Sequence, residues 1–275
     1  MLAKLMTTII NTVRLAVVAL GCGLLVSACT YEELPSADYP QQLLYMPTAR
    51  NGIYTIISLP PATGTGAYRF SVNIADKKLI VPLGVFRGGV SVDGDVTVTV
   101  ATNADTLNKL ITAGALTNTL VLPADKVSLP PSVNLESGKQ SASFDLKIDL
   151  DYLRSLTLTT GGRLAVGVTI ASPQTTVNPL LKTTIVSLDP AILKPTPNFT
   201  NRATDATLPR RITFTNTSVN ALGYSWDFGE GTTAVTDVAP TYTYTKAGTF
   251  TVTLTATGIT GPQDATKRTL TVTVP

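Results

Sequence analysis

Trp226 is the only tryptophan in the chain, and Asp227 and Glu230 follow it in the stretch YSWDFGEG at 224–231. An indole beside two carboxylates could form a glycoside-cleaving centre. The ring would carry a sugar while one acid protonates the leaving oxygen and the other attacks or activates water, with the two carboxyls about 5–9.5 Å apart. Asp149 and Asp151 make a second such pair, and on a strand they would share one face about 7 Å apart. Other reactive groups are scarce. The chain has no histidine, which removes Ser/His and Cys/His nucleophile pairs and the commonest metal ligand. Asp93 and Asp95 flank Gly94 but lack the further oxygen ligands of a calcium loop, so VDGDV reads as a hairpin turn. Gly64 and Gly66 lack the third glycine or the Lys-Ser/Thr of a phosphate cradle.

The first thirty residues bear on the thiols. Lys4 and Arg14 precede the apolar run LAVVALGCGLLV at 15–26, which is shorter than the roughly 20 residues a membrane-crossing helix needs. Residues 1–28 therefore read as a signal peptide. Val26-Ser27-Ala28-Cys29 resembles the bacterial lipobox, which implies lipidation of Cys29 as the mature N-terminus, and Cys22 is a second candidate. Glu32 and Glu33 resemble the surface-export signal of Bacteroidetes-type lipoproteins. The implied location is the outer membrane, lipid-anchored and facing the cell exterior. With Cys22 removed and Cys29 thioether-linked, the mature chain has no nucleophilic thiol and no disulfide.

Removing the signal peptide takes two of the 21 basic residues and none of the 18 acidic ones, so the mature chain is close to neutral. Nothing in that balance suggests the sustained basic stripe that nucleic-acid binding requires, and no nucleic-acid partner is expected.

The elements that would position these groups are strands. Apolar residues alternate with polar ones at Val96, Val98 and Val100, at Phe144, Leu146, Ile148 and Leu150, and at Leu164, Val166, Val168 and Ile170. The same period recurs at Phe250, Val252 and Leu254 and at Leu270, Val272 and Val274. One short helix is expected in ADTLNKLITAG, with Asp105 as its N-cap and Gly114 at its end, and a second start near Asp151. Pro190, Pro195 and Pro197 predict an extended, semi-rigid spacer with a domain break near Lys194. The expected fold class is all-β: after the signal peptide and a linker at 29–37 come two immunoglobulin-like β-sandwich domains in tandem, over 38–193 and 194–275.

Within 194–275 the order ITFTNTS, YSWDFGEG, APTYTY, KAGTFTVTLTATG, TLTVTV resembles the PKD (polycystic kidney disease) domain family. Glu230 stands for that signature's usual Asp, Tyr242 for its His and Phe250 for its Tyr. On strand geometry alone, Tyr224, Trp226 and Phe228 share one face, so the indole reads as core rather than sugar platform. Tyr244 and Phe250 are assigned to the same core. Tyr45 and Tyr68 also sit at core-like alternating positions, and no aromatic platform is named.

Residues 38–190 resemble a Bacteroidetes family of unknown function that fronts glycan-utilisation lipoproteins and chitinase-like endoglycosidases. The resemblance is carried by LYMP, VPLGVFRGG, LVLPADKVSLP, LESGKQSASFDLKIDLDYL and VTIASPQTTVNPLLKTTIVSL. It implies a membrane-proximal sandwich. Asp105-Thr106-Leu107 resembles the O-glycosylation acceptor of Bacteroidetes exported proteins, with Thr106 as acceptor.

The functional expectation is a non-enzymatic surface lipoprotein, without cofactor or metal, that binds extracellular glycan beside a transporter complex. The alternative is a structural or adhesive spacer that binds protein partners.

Overall fold

The computed structural model describes residues 42–57, 59, 69–158, 161–203 and 206–275. The signal peptide, Cys22, Cys29, Glu32, Glu33, Tyr68 and the 64–66 glycines lie outside the described residues. Gln41–Pro275 forms one compact unit.

Among the described residues, seventeen strands make four sheets, paired into two sandwiches. In the first sandwich, one sheet holds β1 (Leu43–Tyr45), β4 (Lys78–Gly88), β9 (Ser141–Asp149) and β7 (Val127–Ser128) in that order, with β3 (Ser71–Asn73) beside β4. The facing sheet orders β2 (Ile53–Ile56), β11 (Thr183–Leu188), β10 (Arg163–Ala171), β5 (Val96–Thr102) and β8 (Ser132–Leu135), with β6 (Thr119–Val121) beside β10. The second sandwich pairs β12 (Phe199–Ala203), β13 (Arg211–Asn216) and β15 (Thr241–Thr243) with β14 (Gly223–Asp227), β16 (Gly248–Gly258) and β17 (Gly261–Val274). The architecture is all-β, two immunoglobulin-like sandwiches in tandem.

Period-two alternation accounts for both interiors, because successive side chains leave opposite faces of a strand. Leu79, Val81, Leu83 and Val85 of β4 face Leu164, Val166, Val168 and Ile170 of β10 across a single core. Phe199, Phe214, Trp226, Phe228, Tyr244 and Phe250 fill the other.

Four sequence expectations are corrected. VDGDV is no hairpin, because β4 and β5 belong to opposite sheets and the loop crosses between them. That loop wraps the buried Arg87, whose guanidinium donates to the carbonyls of Val92, Asp93, Gly94 and Leu135 at 2.6–3.0 Å. The first helix, α1 (Ala104–Thr112), is capped by Asn103, whose side chain accepts from Thr106 N at 3.0 Å, and Asp105 falls inside its first turn. Leu150 does not continue strand β9 but opens α2 (Leu150–Ser155). Finally, the proline-rich joint is packed rather than extended: Pro190–Leu193 forms a 3-10 turn with Pro190, Ile192 and Leu193 buried. The β16–β17 tip docks on it, with Ile259 against the first core and Thr260 Oγ1 donating to Leu193 O at 3.1 Å.

Candidate functional site

The tryptophan lies in the second core, with no exposed surface. β14 pairs with β16 through Trp226↔Leu254, and the indole meets Phe199 edge-on at 5.0 Å between centroids. Its Nε1 donates to the carbonyl of Asp237 at 2.9 Å, which satisfies the one polar atom burial would otherwise leave unpaired. Phe228, Tyr244 and Phe250 are buried beside it, and Tyr224 is half-buried against the same cluster. No sugar could reach this ring.

The neighbouring carboxylates serve the turn. Asp227 Oδ1 accepts from Gly229 N at 2.9 Å. Gly229 has φ +82°, and a Cβ there would sit 2.8 Å from Thr251 O, so the turn requires glycine. Glu230 accepts from Tyr242 Oη at 2.9 Å, from Thr245 Oγ1 at 2.8 Å and from Thr245 N at 3.1 Å. Burial works against its charged form, but the hydrogen bonds from Thr245 and Tyr242 outweigh it and hold the carboxyl below its usual range.

Asp149 and Asp151 do not share a strand face, which corrects the second pair. Asp149 caps α2 by accepting from Tyr152 N at 2.8 Å, and that bond holds its carboxyl below the usual range. Asp151, in the first turn of the same helix, accepts from Lys77 Nζ at 2.8 Å. Both acids are engaged in local structure. Among the described residues no three of Asp, Glu, Cys or His gather to hold a metal ion. Thr106 is half-buried in the first turn of α1.

A candidate binding face appears instead on the outer surface of the first sheet. β1 and β4 pair antiparallel with Tyr45↔Phe86, and β4 pairs with β9 through Phe86↔Ser141 and Gly84↔Ser143. Cross-strand partners point to the same side. Phe86 is 37% exposed and Tyr45 is half-buried, their ring centroids lie 6.0 Å apart, and the ring planes meet at 39°. Each ring leans over a glycine. A Cβ on Gly88 would lie 3.6 Å from the Tyr45 ring, and one on Gly84 3.9 Å from that of Phe86. A side chain at either glycine would meet the ring beside it. Tyr45, read from sequence as core, is therefore half of an outward-facing pair.

The signal for this face was present in the alternation. In VPLGVFRGG the inward positions are Val81, Leu83, Val85 and Arg87, so Phe86 falls on the solvent side while an arginine takes a core position. An aromatic out of phase with its own strand marks an exposed ring.

Beside the pair, on the far side of β9, lies a groove of about 460 Å³ bounded by Ser128, Leu129, Ser132, Ser143, Asp145 and Lys147. Ser143, Asp145 and Lys147 are exposed on the same outer face as Phe86. The ensemble offers flat apolar rings next to small hydroxyls and one charge of each sign, which suits binding a polyhydroxyl surface rather than breaking a bond.

A family model described as a PKD domain matches residues 194–274, and one described as an N-terminal domain matches residues 45–177. Among curated proteins, the chain is similar to the pre-pro-metalloprotease PrtV of Vibrio cholerae, 32% identical over 140 residues. That alignment covers 51% of this chain and 13% of the relative's length. Among solved structures, it is similar to the PKD1 domain of that metalloprotease, at 35% identity, 30% of this chain, 96% of that one and a TM-score of 0.26. It is also similar to a candidate carbohydrate binding protein of Bacteroides ovatus, at 11% identity, 84% and 70% coverage and a TM-score of 0.39. A third is an auxiliary nutrient binding protein of Bacteroides thetaiotaomicron, at 16% identity, 82% and 71% coverage and a TM-score of 0.36. Residues 194–274 thus match the PKD domain model, and residues 45–177 ahead of them match a model described as an N-terminal domain.

Proposed function

We propose that this chain is a non-enzymatic, surface-exposed outer-membrane lipoprotein that captures extracellular glycan and presents it to a neighbouring transporter. The observation that carries the reading is the outward-lying Tyr45–Phe86 pair on the first sheet. The face of a pyranose ring carries mainly C–H groups, while its rim carries hydroxyls. Two neighbouring rings on the outer face of a sheet offer such a face apolar area at little entropic cost, and the adjacent serines can meet the rim.

Several features agree with a binding rather than a catalytic role. Asp149, Asp151, Asp227 and Glu230 are each held by caps, turns or ion pairs. The membrane attachment is assigned to Cys29 and the outward display to Glu32 and Glu33. Thr106 is the proposed O-glycan acceptor. The domain division is proposed at 193/194, with the second sandwich as the PKD module.

The second reading, a structural spacer, is favoured by one observation: Ile259 of the second sandwich packs into the first core and stiffens the joint. Native affinity gels separate the two. The chain from Thr30 onward retains every described element, and it is run through gels containing starch, mixed-linkage glucan, galactomannan or xyloglucan. The glycan reading requires retardation by at least one, lost in the Tyr45→Ala/Phe86→Ala variant. No retardation in any gel supports the spacer.

A further inference from the structure

We infer that the binding face continues from the Tyr45–Phe86 pair across β9 into the Ser143 groove, so that the ligand is an internal stretch of an uncharged polysaccharide laid across the strands. This rests on the glycan reading above and adds the ligand's class and path.

The path follows from register. Tyr45 faces Phe86, Phe86 faces Ser141, and Gly84 faces Ser143, so aromatic pair and groove share one side of three consecutive strands. Neighbouring strands lie about 4.8 Å apart, so the track from Tyr45 over β4 and β9 to the groove is about 14 Å long. That is longer than one sugar ring. Between rings and groove the outer face carries Gly84, Ser141 and Ser143, with no side chain tall enough to block a chain passing over.

The class follows from the groove's polar groups. The side chains of Ser143, Asp145 and Lys147 are exposed and make no hydrogen bond or ion pair with other described residues. They supply unused donors and acceptors. Asp145 and Lys147, two residues apart on one strand face, bring opposite charges to the groove and leave it without a net charge to attract a polyanion. Neutral hydroxyls, which donate and accept, fit that mixture better than carboxylates or sulfates do.

The test uses the chain from Thr30 onward and isothermal calorimetry. The titrants are oligosaccharides, from disaccharide to hexasaccharide, cut from whichever neutral polysaccharide retards it, with polygalacturonate as the anionic comparison. Affinity is expected to rise at least about tenfold with chain length before levelling. Ser143→Trp fills the groove from an exposed position and should abolish the rise with length. Ser143→Ala removes one hydroxyl of the groove and should reduce the rise without abolishing it, and thermal melts of both variants should match the parent. Tyr45→Ala/Phe86→Ala should lose binding at every length.

Affinity that is flat with length, a rise that survives Ser143→Trp, or preference for polygalacturonate would each overturn the inference while leaving glycan capture intact. A parent protein that binds none of the polysaccharides overturns the reading beneath it as well.

Discussion

The hydroxyl of Tyr242 donates to Glu230 Oε2 at 2.9 Å. These are two of the positions at which the chain departs from the PKD signature, and they meet in space. Glu230 stands where that signature has an aspartate, and Tyr242 where it has a histidine. The turn after β14 is thereby fastened to β15 and to Thr245 beyond it.

Acid should loosen that fastening. Glu230 titrates below its usual value near 4.5 in the folded chain, so its contribution to stability is complete above that pH and is lost as pH falls through the lower, folded value. Thermal melts recorded as a function of pH should show the second sandwich weakening on the acid side of 4.5, and Glu230→Gln should flatten that limb. An unchanged acid limb in the variant would remove Glu230 from the account.

Trp226→Ala should cost about 3–5 kcal/mol, the usual range for an aromatic side chain truncated in a core, and should leave the carbonyl of Asp237 without its donor. Calorimetry should show a large drop in the second sandwich's transition. A variant that melts like the parent would mean the indole is not a core residue.

The joint between the sandwiches rests on a partly buried ion pair. Arg154 Nε donates to Asp264 Oδ2 at 2.8 Å, and both side chains are about 13–14% exposed. Asp264→Ala should cost about 1–2 kcal/mol, below the usual loss for a broken buried pair because Asp151 remains 3.6 Å from the same guanidinium. The two sandwiches should then melt less cooperatively. Loss of coincidence between their transitions is the quantity to measure.

Gly167→Ala should be costly although its backbone is ordinary. A Cβ there would lie 2.2 Å from Asn103 O, the N-cap of α1, whose N–H donates to Gly167 O at 2.8 Å. The cap must shift or the strand must. Amide exchange should quicken in the first turn of α1, and an unaltered rate would show that the cap tolerates the methyl.

Strands and core were legible in the sequence because alternation writes burial directly. Val96, Val98 and Val100 lie inward, as do Phe250, Val252 and Leu254. Sheet membership was not legible: nothing in VDGDV distinguishes a hairpin from a crossing between sheets, since both need a tight turn at Gly94. The N-cap slipped from Asp105 to Asn103 because either side chain can accept from the helix start. The packing of the joint is not legible in the sequence, because prolines fix φ but do not reveal what packs on them. The candidate face was hidden for a related reason: Tyr45 and Phe86 are apolar enough to pass as core until the phase of β4 is followed residue by residue.

Hydroxyl-radical footprinting of the chain from Thr30 onward, with and without a saturating neutral polysaccharide that retards it, tests the central claim most directly. Tyr45 and Phe86 should be protected by the glycan, while Tyr224 and Tyr242 of the second sandwich react as before. Protection confined to the second sandwich, or none at Phe86, would contradict the assignment of the first sheet's outer face as the binding surface.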